Sequence, residues 1–360
     1  MIKLRLFFLS TFLILGGCGI SDLDILPEIG SNDTKAPSVM RPDTCFVPYP
    51  NNPVIADHDV LPDANWDDIN IPQKNILGPS GIVAYGVADS GWKTPLEIYR
   101  LTSENGLQWE ANPKTPVLGP SEDSTAWDSK SVKAPSVIFF QDQYHMFYAG
   151  YSTNKNDLVN YRIGHAVSDD GIHWEKDEDF ILGPSDPDGS VDYSFDQYFV
   201  SEPSAIVYND EIYLYFTAVG VDKTLNKTLQ TIGLVRSPNG KYWSIPEPVI
   251  TPDQEQYPRT QNVGGFSTPS AIVMAGKVHL FVDIVQADPY EEFGLYHMVS
   301  ANGVENWRHD DGPIHLRGDF AWSKDTLRAP EPFLKNGKLH LLYTGKVGKM
   351  GGIGLSTCGK

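Results

Sequence analysis

"SDDGIHW", residues 168–174, returns along the chain as "SENGLQW" (103–109), "SPNGKYW" (237–243) and, one residue longer, "SANGVENW" (300–307). A further copy opens at Ser356 and has no Trp, because only Thr357, Cys358, Gly359 and Lys360 follow. Each complete copy sets Asp or Asn before Gly in a hairpin turn and delivers a Trp able to pack between sheets. The turn is therefore structural, and its period reports the architecture.

Between these turns, short runs rich in Val, Ile, Tyr and Phe alternate with Gly, Asn, Asp and Pro, a pattern of many short strands. Four segments share a start: "APSVIFF" at 134, "EPSAIVY" at 202, "TPSAIVM" at 268 and "APEPFLK" at 329. Their prolines, Pro135, Pro203, Pro269 and Pro330, stand 68, 66 and 61 residues apart. A second strand ("YHMFYAG", "IYLYFTA", "VHLFVDI", "LHLLYTG") and a third carrying Gly and ending in Ser follow each. Then come the turn, its Trp and a fourth strand. Four strands per unit at this period predict an all-β fold, a β-propeller of five four-stranded blades. For blade one, Ser103 lies 31 residues after Pro72, against 33 from Pro135 to Ser168, so "NIPQKNI" (70–76) is the expected first strand.

The absent Trp has a substitute. In "CFVPYPNNPVI", Phe46 precedes Pro53-Val54 by seven residues, as Trp109 precedes Pro116-Val117. The N-terminal segment is thus expected to complete the last blade, closing the ring and removing exposed strand edges. In this register Cys45 and Cys358 flank the turn that the chain break removed, so a disulfide is expected to replace it. In the chain-entropy model so long a loop gives roughly 5 kcal/mol, although measured bridges more often give about 2–4.

The first residues read differently. Lys3 and Arg5 precede an apolar run, Leu6 to Leu15, too short to span a membrane and typical of an export signal. It ends in Leu15-Gly16-Gly17-Cys18, which resembles the lipobox of bacterial lipoproteins. That resemblance implies residues 1–18 as signal peptide, lipidation at Cys18, and an exported protein anchored at the outer membrane or cell surface. Residues 19–43 read as a flexible tether, and 44–360 as the propeller. With 28 basic and 46 acidic residues the net charge is −18, which argues against nucleic acid as partner. Membrane contact is expected through the lipid alone.

The "AP-S-V-I" strands, the "Y-x-M-F-Y-A-G" second strand and "I-G-x-A-x-S-x-D-G-x-x-W" resemble the five-bladed propeller glycosidases of the arabinanase, β-xylosidase, invertase and levansucrase type (glycoside hydrolase family 43-like). The resemblance implies a site on the axis, with carboxylates just before the proline in several blades. It implies no required cofactor, and allows a structural axial ion such as calcium. Glycoside cleavage needs two carboxyls with separated pKa values, one protonated and one ionised. The slots hold Ile71, Ala134, Glu202, Thr268 and Ala329, so only Glu202 matches, as general acid. Ile71 and Ala134 occupy slots where Asp is expected.

Other carboxylates stand nearby. Glu331 follows Pro330 and Asp283 ends a second strand, which makes both further catalytic candidates. Asp128 and Asp196 lie in loops entering blades two and three, and Asp67 and Asp68 precede blade one. "AWDSKSVKAP" (126–135) and "AWSKDTLRAP" (321–330) match each other, placing Trp127 with Lys133 and Trp322 with Arg328. An aromatic face beside a cation suits a sugar ring. His145, His279 and His340 share one register in second strands and read as interblade packing. The expected function is hydrolysis of oligosaccharides or polysaccharide side chains of arabinan or xylan type, by a monomer. The alternative is a carbohydrate-binding lipoprotein on the same scaffold.

Overall fold

The computed structural model describes residues 45–61, 64–72, 81–90, 95–152, 161–185, 194–222, 227–252, 263–287, 290–310 and 312–359. The expected signal peptide, Cys18 and the tether lie outside them. Regular structure among these residues is almost wholly β. Strands β1 (Phe46–Pro48) and β2 (Ile55–Ala56) come first. Repeat one is β3 (Ala64–Asn70), β4 (Ile82–Ser90), β5 (Glu97–Ser103) and β6 (Glu110–Ala111), an antiparallel sheet in chain order. Repeat two follows the same plan with β7 (Ser131–Phe140), β8 (Gln143–Tyr151), β9 (Arg162–Ser168) and β10 (Glu175–Lys176).

Repeat three comprises β11 (Phe199–Tyr208), β12 (Glu211–Asp222), β13 (Lys227–Ser237) and β14 (Glu247–Ile250). Repeat four comprises β15 (Val263–Met274), β16 (Lys277–Ala287) and β17 (Tyr290–Ser300), edged by β18 (Arg308–His309) and β19 (His315–Leu316). The two merge into one sheet through a single parallel bridge, Gln230 to Gly265. Gly265 has φ +132°, and a Cβ there would stand 1.9 Å from the Gln230 carbonyl, so glycine is required. Repeat five is β20 (Thr326–Lys335), β21 (Lys338–Val347) and β22 (Met350–Cys358), completed by β1 and β2 on β22.

The N-terminal segment therefore supplies the outer strand of the last sheet, with Phe46 opposite Cys358, and Cys45 is disulfide-bonded to Cys358. Phe46 also takes the place of the absent Trp. Trp174 meets Tyr85 edge-on at 5.9 Å, Trp243 meets Phe147 at 5.6 Å and Trp307 meets Tyr215 at 6.1 Å, each ring belonging to the preceding repeat. Phe46 meets Phe281 of repeat four at 6.1 Å and 86°. Trp109 of repeat one shares a cluster with Leu342 of repeat five. Second strands such as β8 are buried along both faces (Met146, Phe147, Tyr148 and Ala149 are at most 1% exposed), since a sheet packs on either side.

The turn motif has a local cause. Ser103, Ser168, Ser237 and Ser300 each accept a hydrogen bond from the N–H of the turn glycine three residues on, at 2.8–3.1 Å. Asn105, Asp170, Asn239 and Asn302 accept from the next two N–H groups after that glycine. The glycines, at φ +71° to +81°, close the turn. In repeat five Ser356 meets His315 instead, and Gly359 N–H donates to the Cys45 carbonyl, so the disulfide stands where the turn would be.

Candidate functional site

The first strands carry the site. In four repeats the residue before the proline has left-handed backbone: Ala134 (φ 48°), Glu202 (53°), Thr268 (42°) and Ala329 (51°). Each lies in a bulge where pairing with the second strand skips, for example between Ser201 and Ser204. A non-glycine residue there is strained, Thr268 most of all because it is β-branched. These bulges and repeat one surround a funnel with about 360 Å³ of open space. It is lined by Asp68, Glu202, Thr268 and Glu331 with the proline segments between.

Repeat one corrects the sequence register. Its first strand is β3, and the bulge falls between Asp67 and Ile69, so Asp68 occupies the slot assigned to Ile71. Ile71 and Pro72 come after the strand and line a separate apolar cavity with Ile272 and Phe333. Pro72 is therefore not the counterpart of Pro135, Pro203, Pro269 and Pro330. Ile69 takes the proline position, and it stands 34 residues before Ser103, matching the 34 from Pro203 to Ser237. Two of the slots expected to be acidic are thus acidic, Asp68 and Glu202; Ala134 is not.

Arg328 joins them. Its Nη2 lies 3.2 Å from Asp68 Oδ1 and 3.3 Å from Glu202 Oε1, its Nη1 lies 3.7 Å from Asp67, and its Nε lies 3.4 Å from Glu292. Lys133 Nζ stands 3.4 Å from Glu202 and over the Tyr161 ring, and Lys346 holds Asp67 at 2.8 Å. Ser267 Oγ and Thr268 N–H donate to Glu202 Oε2. The four groups that bond or pair with Glu202 here, Lys133, Arg328, Ser267 and Thr268, each offer it a proton or a positive charge. Burial would raise its pKa, but Lys133 and Arg328 outweigh that and bring it down to about 2. For Asp68 burial wins over Arg328, with Asp67 adding repulsion, and the carboxyl rises to about 6. Asp67 is half-buried, and against the desolvation that would raise it Lys346 and Arg328 hold it well below the usual range.

Asp283 is fully buried behind this cluster. Ala329 N–H donates to its Oδ1 at 3.3 Å, and Oδ2 finds no hydrogen-bond partner among the described residues. Burial, reinforced by Glu292, pushes its pKa well above the usual value. Glu331 follows Pro330 on β20 and lines the same space. Ile71 N–H and Asn70 Nδ2 donate to its Oε1 at 2.7 and 3.1 Å, and Oε2 lies 2.5 Å from Ser270 Oγ.

The other expected residues sit elsewhere. Asp128 is buried against Lys176 at 2.6 Å and Tyr148, and Asp196 takes hydrogen bonds from Ser185 and Ser194. Neither lines the funnel. Trp127 stacks on Tyr148 at 5.7 Å, and Trp322 on Tyr343 at 5.8 Å. A Cβ at Gly164 or Gly354 would stand 2.6 or 2.5 Å from those indoles. Both rings lie on the glycines of their own sheets, which accounts for the matched loops better than a sugar platform does. Lys133 and Arg328, expected beside those rings as donors to a sugar's hydroxyls or carboxylate, are engaged by the protein's own carboxylates. His145 and His279 each bond a second His at 2.9 Å (His165 and His297), which in turn bonds Asp177 or Asp310; His340 bonds Thr357. Among the described residues no group of three or more His, Cys, Asp or Glu is arranged to hold a metal, so the axial ion that the resemblance allows finds no fit there.

Residues 134–322 match the family described as "Glycosyl hydrolases family 32 N-terminal domain". No curated protein matches the chain. Similar solved structures include a thermostable family-43 glycoside hydrolase, with TM-score 0.61, 15% identity and coverage of 84% of this protein and 92% of that one. A family 117 glycoside hydrolase from the marine bacterium Zobellia galactanivorans aligns with TM-score 0.61, 16% identity, and 89% and 92% coverage. An α-L-arabinofuranosidase from Lactobacillus brevis gives TM-score 0.58, 12% identity, and 85% and 92% coverage. At these identities the likeness is one of fold.

Proposed function

Because the chain belongs to the family of glycosyl hydrolase family 32 N-terminal domains, we propose that it hydrolyses glycosidic bonds on a five-bladed ring with Asp68 and Glu202 as its working carboxyls. One observation carries this reading. Both residues line one funnel, and both reach the same nitrogen of Arg328, within 3.2 and 3.3 Å. Their facing oxygens therefore lie no more than about 6.5 Å apart, the lower edge of the 6.5–9.5 Å of inverting enzymes, and the bound admits the roughly 5–5.5 Å of retaining ones, the outcome proposed. Asp68 is the nucleophile and Glu202 the proton donor.

As the funnel stands the charges run the other way, with Glu202 ionised and Asp68 partly protonated. A sugar oxygen that takes Glu202's place at Lys133 and Arg328 removes the two cations holding it ionised. Burial then raises it, and a neutral Glu202 no longer repels Asp68, so Arg328 and Lys133 favour Asp68 as the carboxylate. The substrates proposed are arabinan- or xylan-type oligosaccharides or side chains, a class in keeping with the arabinofuranosidase likeness. The protein acts as an exported monomer tethered through a lipid on Cys18 at the outer membrane or cell surface.

A panel of arabinosides, xylosides and fructosides tests the reading. Glu202→Gln should lose about 10²–10⁴-fold on unactivated substrates and much less on aryl glycosides, which need little protonation. Ala134, a methyl group in the slot of repeat two, favours a second reading, a sugar-binding protein without catalysis. Sugar binding by wild type with no turnover anywhere in the panel would establish that reading instead.

A further inference from the structure

We infer that Glu331 is a positioning residue that closes the ring of first strands and so fixes the strand bearing Asp68. The inference rests on the proposed role of Asp68. Its basis is a hydrogen-bond circuit in which each repeat holds the next. Val137 N–H donates to Asn70 Oδ1, Ala205 N–H to Ser136 Oγ and Ala271 N–H to Ser204 Oγ, all at 2.8–2.9 Å. The acceptor always stands two residues past the slot, and the donor one residue further on in the next repeat. The same step from repeat four to repeat five would need an N–H at position 332. Pro332 has none. Ser270 consequently pairs with Glu331 itself, at 2.5 Å.

Glu331 then makes the last link. Its Oε1 accepts from Ile71 N–H and from Asn70 Nδ2, so one carboxyl joins repeat four to repeat one across repeat five. A serine would be too short to make both links. Ile71 and Asn70 continue directly from the Asp68 bulge, so the clasp holds the nucleophile's strand two residues from the reacting group. The charged groups facing it across the funnel are Asp68 and Glu202, with Arg328 on its own strand. None of them bonds it, and burial lifts it to about 8. Ser270 Oγ donates to Oε2 as the site stands; a protonated Glu331 turns that bond round, with C=O for the Ile71 and Asn70 donors and O–H for Ser270.

Glutamine offers the same pattern, an acceptor oxygen and a donor NH₂. Glu331→Gln should keep kcat within about threefold of wild type on the best substrate of the glycoside panel. Wild-type activity should fall as pH rises past about 8 and Glu331 ionises, and Glu331→Gln should abolish that fall. Glu331→Ala should lower kcat at least tenfold with KM little changed, and should melt earlier or fail to fold. A Glu331→Gln variant as inactive as Asp68→Asn would overturn the inference and make Glu331 a proton-transfer group. So would a Glu331→Ala variant equal to wild type in kcat, pH profile and melting temperature. If wild type turns over nothing, melting decides: Glu331→Ala lowered and Glu331→Gln unchanged keeps the clasp while the hydrolase reading falls, and any other order removes both.

Discussion

Removing the guanidinium of Arg328 should expose how much of the site's charge it carries. Arg328→Met keeps most of the aliphatic volume and deletes a group contacted by Asp67, Asp68, Glu202 and Glu292. The arginine side chain is 12% exposed and its partners Asp68 and Glu202 10% and 12%, so little water is available to replace it. Glu202 keeps Lys133 and Asp67 keeps Lys346, whereas Asp68 and Glu292 lose their only cation among the ion pairs described. Breaking a buried pair by removing one partner costs about 3–5 kcal/mol, because a buried charge is left uncompensated. That cost should appear in urea unfolding at pH 7.5. It should shrink at pH 5, where Asp68, already lifted to about 6, is mostly protonated and needs no partner. Arg328→Lys should recover less than half, since an ammonium cannot reach the partners spread around a planar fork. Equal urea midpoints for wild type and Arg328→Met at pH 7.5 would refute the charge assignment.

Replacing Cys45 by Ser should cost about 2–4 kcal/mol in urea unfolding; the long loop would suggest more, but β1 and β2 still hold the closing segment on β22. Acid should destabilise the fold through its buried histidines. Burial lowers His145, His279 and His315 to about 4, with His165 and His297 adding to the first two, so the neutral forms favour folding. Their contribution is complete above about pH 6.5 and is lost as pH falls toward 4; a thermal midpoint that stays level from pH 7 to 4.5 would contradict it. Trp127→Ala should lower the melting temperature and leave KM for the best glycoside nearly unchanged, as expected of a ring spent on its own sheet. A large rise in KM at unchanged stability would restore the sugar-platform role.

The fold was legible because the repeat is written in residues that the turn physically requires. Ser, Asp or Asn, and Gly recur since each supplies one hydrogen bond or one backbone angle, and the Trp recurs because the sheets stack on it. Phe46 was readable for the same reason, as the edge contact with Phe281 confirms. Repeat one was harder. Its slot segment, Asp68-Ile69-Asn70, lacks the proline, and Pro72 two residues later drew the alignment away. Alignment on the Ser-to-slot spacing instead of the proline would have placed Asp68 correctly. Glu202 was found because its slot keeps the proline. The Trp loops were legible as a pair but the seat of their indoles was not, since glycines 150, 164, 345 and 354, which leave room for them, lie in other strands. The link between Glu331 and Ile71 spans 260 residues, and no local pattern marks it.

The most direct test of the central claim is turnover of a neutral arabinoside or xyloside by wild type and by Asp68→Asn. The amide keeps the shape of the bulge and the hydrogen-bonding oxygen, but cannot attack the sugar. Wild type should release the free sugar with its first-formed anomer retained, and Asp68→Asn should be slower by about 10²–10⁴-fold while still binding product. Undiminished hydrolysis by Asp68→Asn would contradict the assignment.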